Sequence, residues 1–459
     1  MTPRPRLAFY GDDVTGSTDA LAQCHRAGLR GTLVFSWAGR DAASLAPVGD
    51  VIGLAGTARV LSTDAMAAEV GPALEALRAT GAGFVQYKMC STADSAPHRG
   101  SLGRAAEIGR DVFGAAPVPL LAAQPDFGRH TVFGHHFATD DDGHVHRLDR
   151  QPTMSRHPVT PMTESDLRRH LARQTRLPVA SLDVSAYELP LAQARSRYEA
   201  VLADAPGVVV LDALTVAHAR YAARLVLTTD ATDAAGTTDA SEVDEPARFA
   251  IGSGGLTLAV AQVLAGATVT RPYEAPSPAL TLVVSGSRAP RTAAQIAHAR
   301  DRGWRTVEVP VDPRLGCDTT PAALARLRDA VSAALDGEVP GAVVHAGPDS
   351  GTDPGDTLGD ALAHAARTAV TDAGATRLVV AGGDTAGRVL RRLDARTAEI
   401  DTLLAPGAAL VRPTFADPAL NGVTALLKGG QAGPVDLFER AAGRTGAVPT
   451  TSAPREPAP

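Results

Sequence analysis

Short runs of β-branched and other apolar residues alternate with Ala/Arg/Leu-rich stretches of helical period along almost the whole chain. This alternation restricts the fold more than any other feature. Strands separated by a helix-length connection pair in parallel, with the helices covering the sheet, so the fold class is α/β. In the first half the predicted strands are Leu7–Tyr10, Thr32–Ser36, Val51–Leu54, Gly83–Tyr87, Leu120–Ala123, Ala180–Asp183 and Val208–Leu211. Helical period predicts Thr18–Ala27, Asp64–Thr80, Ser165–Gln174, Leu191–Asp204 and Thr215–Leu227, and residues 130–148 read as a hairpin. The acidic, Thr/Ala-rich stretch 228–246 has no apolar period and is expected to be a surface insertion.

Phe249–Ile251 then leads through a glycine turn into an apolar helix ending near Ala265, and the prolines of 271–278 read as a linker. A second series follows: strand Leu280–Val284, helix Thr292–Arg302, strand Thr306–Val309, helix Pro321–Leu335, strand Ala342–His345, helix Thr357–Ala373 and strand Arg377–Val380. It closes with helix Thr385–Leu393, strands Ala409–Arg412 and Val423–Leu427, and a short helix near 435–441. The expectation is therefore two domains, 1–272 and 273–444, each a mainly parallel sheet flanked by helices. A Pro/Thr/Ser tail at 445–459 is expected to be disordered. The sequence carries no internal repeat.

A length of 459 residues with 44% hydrophobic and 20% charged residues suits such globular domains. A net charge of -6 argues against a nucleic-acid or anionic-membrane partner. No apolar run approaches the roughly 20 residues of a membrane span, no signal-peptide pattern is present, and the three cysteines form no pairing motif. These features lead to the expectation of a cytoplasmic protein.

Only two of the 44 cationic residues are lysines, Lys88 and Lys428. Where arginine is used almost everywhere, a surviving ammonium points to a job for a compact point charge, such as holding a carboxylate or phosphate. Lys88 opens a loop that includes Cys90, Ser91, Thr92, Asp94 and Ser95. One ammonium, several hydroxyls and a carboxylate suit a small polyhydroxylated acid.

The first strand runs into Gly11-Asp12-Asp13-Val14-Thr15-Gly16-Ser17-Thr18-Asp19, at the carboxyl end of a strand and facing a helix N-terminus. Asp12, Asp13 and Thr15 are candidate caps. Two adjacent carboxylates also require a cation, a ligand or a basic side chain for at least one of them. An aspartyl-phosphate phosphatase is excluded, because its aspartates stand two apart.

Four glycine turns follow apolar runs in the second half and are read together as a nucleotide site: Gly252-Ser253-Gly254-Gly255, Ser285-Gly286-Ser287, Gly382-Gly383-Asp384-Thr385 and Lys428-Gly429-Gly430. Glycine lets backbone amides approach phosphate, and a helix N-terminus favours the anion. No GxxxxGK[ST] run exists, and the turn at 252 lacks the third glycine of a dinucleotide fingerprint. His135, His136, His144, His146 and His157 have no zinc spacing and read as surface or subunit-contact residues.

With these motifs in order over about residues 6 to 440, the chain resembles the four-carbon acid sugar kinase family. Members are two-domain enzymes that phosphorylate C4 sugar acids with ATP. The Asp12–Asp19 run is similar to the family's DD-x-TG-x-x-D. The 88–95 loop looks like the Lys-x-Cys-Ser-Thr-Phe-Asp-Ser-Thr run of its 3-oxo-tetronate kinase branch, with Ala93 and Ala96 in place of Phe and the final Thr. Residues 152–162 are longer and more basic than in that branch.

The resemblance implies a sugar-acid-binding first domain with Asp12, Asp13, Thr15, Gly16, Arg59, Lys88, Ser91, Thr92 and Asp94 on the substrate side. It implies an ATP-binding second domain using Ser253, Gly254, Ser285, Ser287, Gly382, Gly383, Asp384, Thr385, Lys428, Gly429 and Gly430, with Mg2+ accompanying ATP and an active-site cleft between the domains. In that scheme Asp13, or failing it Asp12, accepts the hydroxyl proton, while Arg59 and Lys88 fix the acid's carboxylate. The expected partners are a sugar acid and ATP, with a homodimer compatible. The alternatives are a non-catalytic sugar-acid or nucleotide sensor, and a kinase for a different hydroxy acid.

Overall fold

The structure is a computed structural model that describes residues 4–39, 49–140, 142–157, 160–227, 248–267, 270–312, 314–347 and 357–444. The expected insertion at 228–246 and the tail at 445–459 lie outside the described residues. The chain divides into two units, Met1–Thr270 and Arg271–Pro459.

In the first unit the order is β1 (Leu7–Gly11), α1 (Val14–Arg26), β2 (Gly31–Val34), β3 (Val51–Ala55), α2 (Thr63–Ala79), β4 (Phe84–Lys88), α3 (Leu102–Phe113) and β5 (Val118–Leu121). Next come β6 (Arg129–Val132), β7 (His135–Thr139), β8 (Val145–Arg147), α4 (Leu167–Ala172), β9 (Val179–Leu182), α5 (Leu191–Ala203), β10 (Val208–Leu211), α6 (Val216–Leu227), β11 (Arg248–Gly252) and α7 (Gly254–Ala265). The parallel sheet runs β2-β3-β1-β4-β11-β5-β10-β9. Its central strands are buried on both faces, which is why β1, β3 and β10 read as unbroken apolar runs and not as alternation. Packing is close enough that a Cβ on Gly53 would fall 2.1 Å from the Phe9 ring. Helix α7 is apolar all round because it is covered by α1 and α6.

The 130–148 segment is a three-stranded antiparallel sheet, β6-β7-β8, where a simple hairpin was expected. The extra strand follows from a tight turn with positive φ at Phe133 (52°) and Gly134 (77°). Such turns normally carry Asn-Gly or Asp-Gly, so an exposed phenylalanine at the first position hides the signal. Helix α1 begins four residues before the predicted Thr18, because the Asp13 side chain caps it by accepting from Gly16 N.

The second unit contains β12 (Thr281–Ser285), α8 (Pro290–Asp301), β13 (Arg305–Val309), α9 (Pro321–Leu335), β14 (Gly341–Ala346), α10 (Thr357–Thr371), β15 (Arg377–Ala381) and α11 (Gly383–Arg392). It ends with β16 (Ala395–Ala405), β17 (Ala408–Phe415), β18 (Thr424–Lys428) and α12 (Leu437–Ala441). The strand order is β13-β14-β12-β15-β18-β17-β16, parallel through β18 and antiparallel in β17 and β16. Strand β16 escapes sequence reading because irregularities at 395–397, 400–402 and 403–405 break its alternation. Both units wind alike: the first strand lies inside, the next two step away to one side, and the fourth pairs on the other side. The carboxyl ends of the inner strands form the switch point of each sheet, where an open α/β fold binds ligands.

Candidate active site

Four parallel strands of the first unit end level with one another. Gly11 pairs with Ala55 and Lys88, and Lys88 with Gly252. The loops that follow are tied by Asp12 N to Lys88 O (3.0 Å), Met89 N to Gly252 O (2.9 Å) and Arg59 N to Asp12 O (3.1 Å). This register gathers the aspartate pair, Arg59, Lys88 and the turn at 253 at one end of the sheet.

Arg59 bridges both aspartates, with Nη2 2.7 Å from Asp12 Oδ1 and Nη1 2.6 Å from Asp13 Oδ2. Thr15 Oγ1 donates to Asp13 Oδ2 at 2.8 Å, and Gly16 N to Asp13 Oδ1 at 2.6 Å. Asp13 is therefore both a helix cap and a member of a charged cluster. The two carboxyls are driven apart. Burial pushes Asp12 above the usual carboxylate range despite Arg59. At Asp13 burial also acts upward, but Arg59, Lys88 and the bonds from Thr15 and Gly16 outweigh it and hold the group low. The Asp12 side chain is 3% exposed and that of Asp13 16%, so Asp13 is the one a ligand reaches.

Lys88 is buried, donates to Met89 O at 3.0 Å and stands 3.9 Å from Asp19 Oδ2. Asp19 was part of the recognised run but had no predicted role, and Gln23 and Gln124 hold it by hydrogen bonds of 2.8 and 3.1 Å. A Cβ on Gly16 would lie 2.5 Å from Asp13 Oδ1 and 3.3 Å from Lys88 Nζ, so the bare glycine leaves room in front of both. The charge of Arg59 is balanced twice over. Arg59 is thus a clamp on the two aspartates.

The turn at 252–255 lies in the first unit, and the other three glycine turns lie in the second. A Cβ on Gly254 would lie 2.3 Å from Asp19 Oδ2. Ser253 is buried, and its Oγ donates to Ala123 O at 2.7 Å and accepts from Gly255 N at 3.0 Å. Strand pairing, invisible in sequence order, brings β11 beside β4 and takes these residues there.

The 88–95 loop is backed by histidines. His136 is fully buried, with Nε2 on Ser91 O at 2.8 Å and Nδ1 on Thr131 Oγ1 at 2.9 Å, so it is not the surface residue expected. Burial depresses it to about 4, keeping it neutral. His170 Nε2 meets Ser95 Oγ at 2.8 Å and is likewise lowered by burial, to about 4. Thr92 Oγ1 lies 3.1 Å from Cys90 Sγ. His144 and His146 sit beside Asp140 at the β7–β8 turn, as surface residues.

In the second unit Ser285 pairs with Ala381, and Ala381 with Lys428, so the remaining three glycine turns emerge level. Helices α8 and α11 both start here without a side-chain cap, leaving amide N–H groups to be satisfied by a ligand or water. A Cβ on Gly430 would fall 2.8 Å from Ser287 Oγ, and nothing lies within 4 Å of one on Gly429. Lys428 is completely buried, and its Nζ donates to Thr292 Oγ1 at 2.8 Å and Gly430 O at 3.3 Å. With no carboxylate ion pair among the described residues, Lys428 is pulled down to about 7 by burial and then by Arg291. The Asp384 side chain is exposed in the first turn of α11.

Gly382 has φ +115°, and a Cβ there would meet Thr385 Oγ1 at 2.8 Å. Gly382→Ala is therefore expected to strain the start of α11 and lower the Tm, measurable by calorimetry.

Among the described residues no helix is long and apolar enough to cross a membrane. Residues 7–244 match the model of a sugar-binding N-terminal domain, and residues 282–438 that of a nucleotide-binding C-terminal domain. The chain is 37% identical over 455 residues to the 3-oxo-isoapionate kinase of Paraburkholderia graminis, covering 94% of this chain and 93% of that protein. It is 28% identical over 458 residues to the 3-oxo-tetronate kinase of Pseudomonas fluorescens, covering 96% and 97%. A Salmonella typhimurium structure described as a putative tRNA synthase has the same fold, with a TM-score of 0.74 at 22% identity over 95% of this chain and 98% of that one. The two domain matches, in this order and over nearly the full length, place the chain in the four-carbon acid sugar kinase family.

Proposed function

We propose that the protein is an ATP-dependent kinase that transfers the γ-phosphoryl group to a hydroxyl of a 3-oxo sugar acid, in a cytoplasmic setting. The observation carrying this reading is the contrast between the two buried lysines. Lys88 stands 3.9 Å from the Asp19 carboxylate, and its charge helps hold the reachable Asp13 low, as suits a site for an anionic polyol. Lys428 stands at the glycine turns, on the Gly430 carbonyl, with no counter-charge among the described residues, as suits a polyphosphate.

In this reading Lys88 takes the acid's carboxylate, Asp13 accepts the proton of the attacking hydroxyl, and Arg59 keeps the Asp13 carboxylate aimed. The turns at 285–287, 382–385 and 428–430 hold the phosphates with Lys428. The exposed Asp384 carboxylate, an oxygen donor beside those turns, fits a Mg2+ ion, which would neutralise phosphate charge. Phosphoryl transfer of this kind depends on positioning and charge more than on a strong base, so an Asp13 held below its usual range is adequate.

The test is a coupled ADP-release assay across 3-oxo-isoapionate, 3-oxo-tetronate and the corresponding tetronates. ADP formation that depends on one of the 3-oxo acids is expected. Binding of acid and ATP without ADP release would favour a sensor, and turnover confined to other hydroxy acids would refute the substrate assignment.

A further inference from the structure

The carboxylate of Asp94 is held from outside its own loop. Thr160 Oγ1 donates to Asp94 Oδ1. His157 lies behind that threonine: its Nδ1 accepts from Thr160 N at 3.1 Å, is 2.9 Å from Thr160 Oγ1 and stands 3.9 Å from Asp94 Oδ1. Thr160 is 5% exposed and Asp94 12% in its side chain, so the bond is well shielded. Since Nδ1 accepts the Thr160 amide proton, the single hydroxyl proton of Thr160 is left for Asp94.

The loop that presents Asp94 starts at Lys88 and returns to the Arg59 segment. Gly100 N donates to Leu61 O at 3.0 Å, Arg99 Nε donates to Val60 O at 3.0 Å, and a Cβ on Gly100 would lie 2.5 Å from Arg59 O. Asp94 is thus the carboxylate of a loop whose two ends are fixed at Lys88 and beside Arg59. His136 and His170 fix Ser91 and Ser95 on either side of it. Oδ1 is taken by Thr160, which leaves Oδ2 to accept a hydroxyl from a ligand held at Lys88.

We infer that Thr160 and His157 are positioning residues that set acceptor specificity, by fixing Asp94 to receive one hydroxyl of the sugar acid. The inference rests on the proposal that an acid binds at Lys88. The contact would be made through the substrate hydroxyl and a rigid carboxylate, so it discriminates between acids that carry that hydroxyl and acids that lack it. A hydrogen bond to a charged group contributes about 1.5–3 kcal/mol, roughly a 10- to 150-fold effect.

The test measures 3-oxo-isoapionate and 3-oxo-tetronate with wild type, Thr160→Val, Thr160→Ser and His157→Ala. Thr160→Val is expected to raise KM for the preferred acid at least tenfold while KM for ATP stays within twofold. Thr160→Ser, which keeps the hydroxyl, is expected to stay close to wild type, and His157→Ala to fall between. An unchanged acid KM in Thr160→Val overturns the inference. So does a parallel rise in both KM values, or a Thr160→Ser as impaired as the valine variant. If wild type binds an acid without turnover, the same ratios are read as dissociation constants by calorimetry, so failure of the kinase reading is separated from failure of this one. Absence of binding of either acid to wild type overturns both.

Discussion

Asp13→Asn is expected to lower kcat by about 10²- to 10⁴-fold, the range for losing a positioned proton acceptor. KM for ATP should stay within a few-fold. The variant is informative because asparagine is as good a helix cap as aspartate. The Gly16 N bond that starts α1 is therefore retained, and the fold should survive. What changes is the charge facing Arg59 and the affinity for the substrate proton. Single-turnover measurements at saturating acid and ATP isolate this step. A rate within tenfold of wild type would remove Asp13 as the base, and Asp12, with a side chain only 3% exposed, would not be a ready substitute. Since Asp13 is held low, the acid limb of the kcat profile should lie below the ordinary carboxylate range.

Lys428→Met is expected to do two opposite things. ATP affinity should fall roughly 10- to 150-fold, as a hydrogen bond from a charged donor is lost. The Tm should rise, because methionine fills similar space without a desolvated amine, and Thr292 Oγ1 still holds Gly430 O at 2.7 Å. The sign of the pH dependence follows from linkage. Lys428 is depressed to about 7 in the folded chain, whereas an unfolded lysine titrates near ~10.4. Between those values the unfolded state carries the extra proton, so this residue makes the fold gain stability as pH rises from about 7 and penalises it below. The variant should flatten that slope, each kcal/mol appearing as about 2–4 °C in Tm. A triphosphate facing the amine would restore its proton. ATP binding at pH 8 is then expected to take up a proton, visible in calorimetry as a heat that varies with buffer ionisation enthalpy. A buffer-independent heat, together with an unchanged Tm in the variant, would refute this account.

Much of the scaffold was legible in the chain because buried parallel strands and amphipathic helices impose local patterns. The central β-runs and the cap at Asp13 are of this kind, as are the glycine turns after β12, β15 and β18. What was hidden depends on pairing between distant segments. Strand β11 lies beside β4, which moves Ser253 and Gly254 to the Lys88 end of the first sheet. Thr292 underlies Lys428 from 136 residues away in sequence. His136 and Thr160 hold the 88–95 loop across 45 and 66 residues. Strand β16 was missed for a different reason, since its irregular register destroys the two-residue period. Arg59 was expected on the substrate side with the aspartates, but one sequence could not reveal that it bridges both of them.

The only two ε-amines in the chain are both shielded, Lys88 at 2% exposure and Lys428 at 0%. Succinimidyl esters and similar acylating reagents should therefore leave both untouched in the native protein. Any label that does appear on a lysine marks a molecule in which one of the two sites has opened. Lysine acylation followed by peptide mapping thus becomes a local reporter of motion at each binding position, with no background from surface lysines.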